Sequence, residues 1–412
     1  MTNSLKGKKI LFFHDYFTSS GGSERVSLEV AKYLQENGAE TSIVTYDFHP
    51  DALFNNQYNV KVHRIGRKTP YHDSHFKGLV LFPLQILALR RHLRKAKPDV
   101  IITRNSFECI YLYFATMFTR LPYVSFVFET PIWAYGDLRQ HALVYRKTFN
   151  KLRELSPTYR YFDHLMPPKP NPLKRLFVEL GSLAETLAVR KAKKVFAYSG
   201  IMKSEIKDVF KKDAVVLRGS ISEEILAYQP KQNIKEKLGI SGKKMILSVC
   251  RLAPRKRVDL LVRAMSLLAE RLIDVVLVIG GRGPEEESLK QLARTLRIED
   301  RVKFVGFIPE EELLDYYAAC DVFSHADWAE ADMTPIIALA LKKKAVWTTD
   351  METTPELKDS GYVFVAPPEP ELFARAMEQA LATEVNTTID LTGYTWQKNN
   401  KALAEAIRPF LS

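Results

Sequence analysis

The chain has only three cysteines in 412 residues, Cys109, Cys250 and Cys320. They lie far apart and in no metal-ligand spacing, which excludes a cysteine-built zinc module and points to reduced, buried thiols in a cytosolic protein. A long apolar opening is also missing: MTNSLKGKKILFFHDYF passes from a basic start into a short apolar strand and then polar residues, without a secretory-signal pattern. The most apolar long window, 110–128, is broken by Arg120 and Pro122 and reads as a helix, a turn and a buried strand, so no membrane span is expected. His72 and His75 form a bare pair with no further ligands, so no metal site is expected there. No internal repeat or low-complexity tract stands out.

What is present fits a globular α/β protein of two domains. At 46% hydrophobic and 26% charged residues the composition is not that of a disordered chain, and the length exceeds one ordinary core. The formal net charge of +12 favours anionic partners: nucleotides, acidic lipids or nucleic acid. An apolar run, Gly78 to Leu89, is followed at once by Arg90, Arg91, His92, Arg94, Lys95 and Lys97. Two readings stand for it, a face for an anionic membrane surface and a core helix with a solvated basic end. A second basic and aromatic region, 145–177, surrounds MPPKPNP. With no nucleic-acid module in sight, membrane or acceptor contact is expected there and nucleic acid is not.

Alternating short apolar runs and amphipathic stretches set out the order of elements. Strands are expected at 9–14, 41–46, 60–64, 100–103, 123–129, 194–198 and 214–218, and then at 245–250, 275–279, 301–304, 322–324, 345–348 and 362–365. The loop FTSSGGSER and a helix from about Glu24 to Asn37, ended by Gly38, complete a strand, glycine loop and helix unit. The polar run YQPKQN at 228–233 reads as a linker. The expected division is 1–228, 229–391 and a C-terminal amphipathic helix in 392–412.

The candidate chemistry lies just past strand ends, where open α/β sheets bind nucleotides and phosphates. Gly21 and Gly22 open a helix whose first amides favour an anion. Arg251 and Lys256, in RLAPRKRVDLLVRA, can hold a diphosphate and stabilise its leaving charge. Gly281, Arg282, Gly283 and Pro284 form a turn, Gly306 and Phe307 follow a strand end, and Met333 and Thr334 offer amides ahead of the helix beginning near Pro335. Glu129, in FVFETPIWAYGD, is a carboxylate at an expected strand end that either accepts from a ligand hydroxyl or takes its proton as a base, or pairs with a neighbouring cation.

The run from Met245, with GGSERVSLEVAKYLQENGAETSIVT in the first half, resembles glycosyltransferase family 4. That resemblance implies the GT-B fold, with two Rossmann-like doubly wound domains facing an interdomain cleft and a last helix crossing back to the first domain. It implies a retaining transfer from a nucleotide sugar, without a metal or other cofactor. Arg251 and Lys256 then hold the diphosphate, Gly21 and Gly22 face it, and the 281–284 turn, Gly306 and Phe307 lie beside the nucleotide. Glu330 faces the donor sugar. Asp327, Glu330 and Asp332 do not form the aspartate-x-aspartate metal motif of the other large glycosyltransferase fold.

Two departures from the family pattern stand out. Ala338 takes the place of the second glutamate of a pair, which accepts hydrogen bonds from the ribose hydroxyls, and Glu129 takes the place of a histidine. Restoring glutamate at 338 is expected to leave donor binding equal or better. The expected partners are a nucleotide-sugar donor, a glycan or polyprenol-linked acceptor and an anionic membrane surface, at the cytoplasmic side of the cell membrane. A degenerate member that binds a sugar nucleotide, a glycan or a partner without turnover is the alternative, and a nucleic-acid role comes third.

Overall fold

The computed structural model describes residues 5–18, 21–54, 57–66, 75–127, 172–271, 274–327 and 333–411. These divide into two compact units, each built on one parallel sheet.

The first unit takes the chain up to Val127, then Pro172 to Gly219, then the end of the chain from Trp396. Its strands are β1 (Lys9–Phe17), β2 (Glu40–Phe48), β3 (Lys61–Arg64), β4 (Val100–Thr103), β5 (Tyr123–Val127), β6 (Val195–Ala197) and β7 (Val215–Val216). They are ordered β3-β2-β1-β4-β5-β6-β7. Its helices are α1 (Gly22–Glu36), α2 (His75–Ala96), α3 (Glu108–Thr116), α4 (Pro172–Lys191) and α5 (Gly200–Phe210). VIIT in β4 and YVSFV in β5 are buried at every residue, as parallel strands covered on both faces must be. Gly38, at φ +92°, ends α1, with its amide on the Gln35 carbonyl and the Ala39 amide on that of Leu34.

The second unit runs from Ser220 to Thr395. It holds β8 (Lys244–Val249), β9 (Val275–Gly280), β10 (Val302–Gly306), β11 (Val322–His325), β12 (Lys344–Thr348) and β13 (Val363–Ala366), in the order β10-β9-β8-β11-β12-β13. Its longer helices are α6 (Val258–Ala269), α7 (Glu286–Thr295), α8 (Glu310–Ala319), α9 (Met333–Ala340) and α10 (Pro370–Ala382). Alternate residues of the strands feed two cores. Ile246, Leu277 and Ile279 join Leu261, Met265, Phe373 and Met377, while Met245, Leu247 and Val278 join Tyr317, Leu339 and Trp347.

The last helix, α11 (Trp396–Ile407), belongs to the first unit. The Asn400 side-chain amide donates to the Glu29 carbonyl of α1 at 3.1 Å, and Asn399 accepts from the Arg218 amide at 2.7 Å. The Trp396 ring fills the space that a Cβ on Gly219 would need.

Every expected strand is found; β4 has the expected ends, residues 128–129 of the expected fifth strand lie outside the described residues, and β1 continues to Phe17 instead of stopping at His14. The division between units differs from the expected one. The chain passes from the first unit to the second at Gly219 and Ser220, not near Tyr228, and returns at Trp396 rather than Thr392. Ile221 is the reason: its side chain is fully buried in the second unit's core and its amide bonds the Tyr394 carbonyl. YQPKQN instead lies along the second unit, where Asp315 accepts from the Tyr228 hydroxyl and the Lys231 amide.

Candidate functional site

In each sheet the strand order reverses once, between β1 and β4 in the first and between β8 and β11 in the second. The crevice outside the carboxyl ends at such a point is where doubly wound sheets take ligands.

In the second unit, the exits of β8, β9 and β10 are laced into one edge. The Cys250 amide donates to Gly280 at 3.1 Å, the Leu252 amide to Arg282 at 3.0 Å, the Glu285 amide to Leu252 at 3.0 Å and the Gly281 amide to Gly306 at 2.7 Å. Glycine is required in this lacing. A Cβ on Gly281, at φ +126°, would collide with the Cys250 carbonyl oxygen, and one on Gly283 with that of Leu252. Arg251, Gly281, Gly283 and Gly306 thus form one backbone ledge, with the Arg251 side chain exposed and the Phe307 ring 62% exposed beside it.

Arg251 and Lys256 differ in their surroundings. The Lys256 ammonium is mostly buried and paired with the fully buried carboxylate of Asp327, just past β11. Its neighbour Arg257 is fully buried. The Arg257 guanidinium donates to the carbonyls of Ala326 and Asp327 at 2.6 and 2.7 Å, to the Thr348 hydroxyl at 3.0 Å and to both Asp350 oxygens at 3.0 Å. Arg257 sits at φ +46°, a strained conformation for a side-chain-bearing residue, and these bonds hold it there. Together the two residues tie the β8 loop to the exits of β11 and β12.

Met333 and Thr334 open α9 and are half-buried. Ala338, in the same helix, is fully buried in the core with Leu339 and Trp347. A carboxylate introduced there would lose its water, so the structure argues against the expectation that glutamate at 338 would be tolerated or helpful. Glu330 and Glu129 lie outside the described residues, as do His72, Asp332 and most of the 145–177 region.

The first unit's switch point holds a cluster that sequence reasoning missed. Gly21 precedes α1 with no side chain capping the helix, and Gly22 is its first residue. Beside them Arg104, just past β4, is buried among three carboxylates. It pairs with Glu24 of the first turn of α1, lies 3.4 Å from Glu108 and 3.8 Å from Asp15, and donates to the Tyr16 carbonyl at 2.7 Å. Its guanidinium also lies 4.3 Å from the centre of the Tyr16 ring. Burial opposes the charge on Arg104, but Glu108, Glu24 and Asp15 hold its pKa above the ordinary value. Glu108 is pushed up by burial, against the pull of Arg104 and of the Arg104 and Asp15 amides that it accepts. His14, fully buried beside them, is pushed down to about 3 by burial and by Arg104, and is neutral at pH 7. Charged residues at the carboxyl ends of two buried strands, in HDYF and TRNSFE, were the available signal.

Among the described residues no group of histidines, cysteines and carboxylates could hold a metal ion, and no helix is long and apolar enough to cross a membrane.

Comparison with known proteins follows the division seen in the structure. Residues 20–219 match the model of Glycosyltransferase Family 4, and residues 230–408 that of Glycosyl transferases group 1. A GDP-mannose-dependent alpha-(1-6)-phosphatidylinositol monomannoside mannosyltransferase of Mycolicibacterium smegmatis is 37% identical over 91 residues, which is 22% of this chain and 24% of that protein. An alpha-monoglucosyldiacylglycerol synthase of Streptococcus pneumoniae is 36% identical over 121 residues, 26% of this chain and 27% of that one. The chain therefore covers about a quarter of the length of these curated relatives. Two solved structures match almost end to end at 17% identity. Anabaena HepE in complex with UDP and glucose has a TM-score of 0.67 over 97% of this chain and 99% of its own. Sucrose-phosphate synthase from Thermosynechococcus elongatus has a TM-score of 0.70 over 98% and 96%. The chain belongs to the glycosyltransferases of family 4 and group 1, and has the GT-B fold.

Proposed function

We propose that this protein transfers a sugar, with retention of anomeric configuration, from a nucleotide-sugar donor to a glycan or polyprenol-linked acceptor at the cytoplasmic face of the cell membrane. The observation that carries the donor reading is the ledge formed by Arg251, Gly281, Gly283 and Gly306 at the carboxyl ends of β8, β9 and β10 in the second sheet. An exposed guanidinium beside closely approachable backbone suits a diphosphate, and it stabilises the negative charge that grows on that group as the bond to the sugar breaks. Phe307 offers an apolar face to the nucleotide. The amides of Gly21 and Gly22, and of Met333 and Thr334, are further phosphate donors in this reading. Glu330 is assigned to the donor sugar, and Glu129 to a sugar hydroxyl or the acceptor proton. Lys256 serves by holding Asp327 and with it the β11 exit. No metal enters the scheme, so turnover should survive a chelator.

Supporting the acceptor reading, the relatives from Mycolicibacterium and Streptococcus are named for phosphatidylinositol monomannoside and monoglucosyldiacylglycerol. HepE was solved with UDP and glucose, which supports a nucleotide-sugar donor. The experiment is calorimetric titration with uridine and guanosine nucleotide sugars, wild type against Arg251→Ala, followed by sugar release from any donor that binds. Ala338 in the core and Lys256 engaged with Asp327 favour a second reading, a sugar-nucleotide-binding protein without turnover. Donor binding without release of the sugar, with acceptor candidates present, would select it.

A further inference from the structure

Helix α4 carries leucine on its outer face. It buries Ser182, Glu185 and Thr186 with Ala188 and Val189 against the first unit and exposes Leu176, Leu180, Leu183 and Leu187 at 52, 55, 53 and 44%. Spacings of four, three and four residues place these leucines along one narrow stripe of the helix. The inward face is firmly seated: the Tyr123 hydroxyl donates to the Ala188 carbonyl at 2.6 Å, and Arg190 donates to the Phe210 carbonyl at 2.8 Å. Burial of polar residues with leucine left in water costs free energy unless another apolar phase covers the leucines.

Helix α2, which like α4 packs against α3, buries Leu89 and Leu93 on its inner face and also leaves leucines outside. Gln85 is buried and bonded to the hydroxyls of Tyr46 and Tyr111, while Leu84 and Leu87 are 56 and 45% exposed. At the end of α3, Phe118 is 82% exposed with the Arg90 guanidinium 5.6 Å from its ring centre.

We infer that this helical layer, with the leucine stripe of α4 at its centre, docks on an anionic bilayer surface. The charge around it selects that partner: α2 carries Arg90, Arg91, Arg94 and Lys95 without any acidic residue, and α4 ends in Arg190 and Lys191. Anionic headgroups complement these cations as the leucines enter the acyl boundary. A second copy of the chain would instead bring the same cations to the interface. The inference rests on the membrane-face reading above for its acceptor, but not for the surface itself.

The test floats the full chain on vesicles of phosphatidylglycerol with phosphatidylcholine, and on phosphatidylcholine alone. Wild type should float with the anionic vesicles. Leu180→Glu with Leu183→Glu should bind about tenfold more weakly or worse, with thermal melting and turnover of a soluble donor unchanged. The inference falls if that variant floats like wild type, if wild type ignores vesicles, or if light scattering shows a leucine-dependent dimer without lipid. Leucine-dependent flotation of a protein that releases no sugar from any donor would sink the proposed transfer and leave the docking surface standing.

Discussion

The two sheets share one plan and fill their switch points with opposite charge. Between β1 and β4 a single buried arginine, Arg104, is surrounded by Asp15, Glu24 and Glu108. Between β8 and β11 a buried arginine, Arg257, holds the exits of β11 and β12, Lys256 holds Asp327, and Arg251 is left exposed. Each buried arginine does comparable work, tying together strand exits that the sheet leaves adjacent. The surplus differs: carboxylates remain at the first point, and a water-facing guanidinium at the second. The second unit thus presents an exposed side-chain charge beside its strand exits, while Gly21 and Gly22 of the first bring only backbone amides.

The comparison can be broken most forcefully at Arg104. Arg104→Met leaves three carboxylates in a buried cluster without their cation and should cost about 3–5 kcal/mol of stability by denaturant unfolding. A loss below about 1 kcal/mol would mean that the cluster is open to water. Lys256→Ala should cost about 2–4 kcal/mol, because Asp327 is fully buried, whereas Arg251→Ala should stay within about 0.5 kcal/mol. Equal losses for the two would erase the separation of roles drawn here.

His14 gives the first cluster a pH signature. Its pKa is ordinary, near 6.5, in the unfolded chain and about 3 in the folded protein, so below pH 6.5 the unfolded state binds the extra proton. Stability from this residue is intact above pH 6.5 and is lost as pH falls toward 3, at up to about 1.4 kcal/mol per pH unit. His14→Phe, which keeps a ring against Phe17, should flatten that slope in unfolding curves taken between pH 6.5 and 4. The smallest effect is at Arg257: Arg257→Gly accepts the φ of +46° and should be about 1 kcal/mol less destabilising than Arg257→Ala, as melting curves of the pair would show.

Much of this was legible in the sequence, for identifiable reasons. Parallel strands buried on both faces are continuous apolar runs, so β4 and β5 announce themselves, and a glycine turn after such a run marks a ledge like that at Gly281. The Arg104 cluster was not legible because Glu24, Arg104 and Asp15 come from three element ends brought together by the order of strands. The pairing of Lys256 with Asp327, seventy-one residues on, was likewise not legible, because nothing local to Lys256 announces it. At α4 a leucine stripe of the spacing that ordinarily faces a core faces outward. Of the two carboxylates singled out from sequence, Glu129 and Glu330 lie outside the described residues, so their roles rest on the resemblance alone.

The claim that the exposed Arg251 ledge holds the donor diphosphate is tested most directly by calorimetry with uridine and guanosine nucleotide sugars on wild type and Arg251→Ala. The account predicts that wild type binds at least one donor and that the variant, melting at the same temperature without ligand, binds it about tenfold to a hundredfold more weakly. Equal binding by the variant, or no binding of any donor by folded wild type, would contradict it.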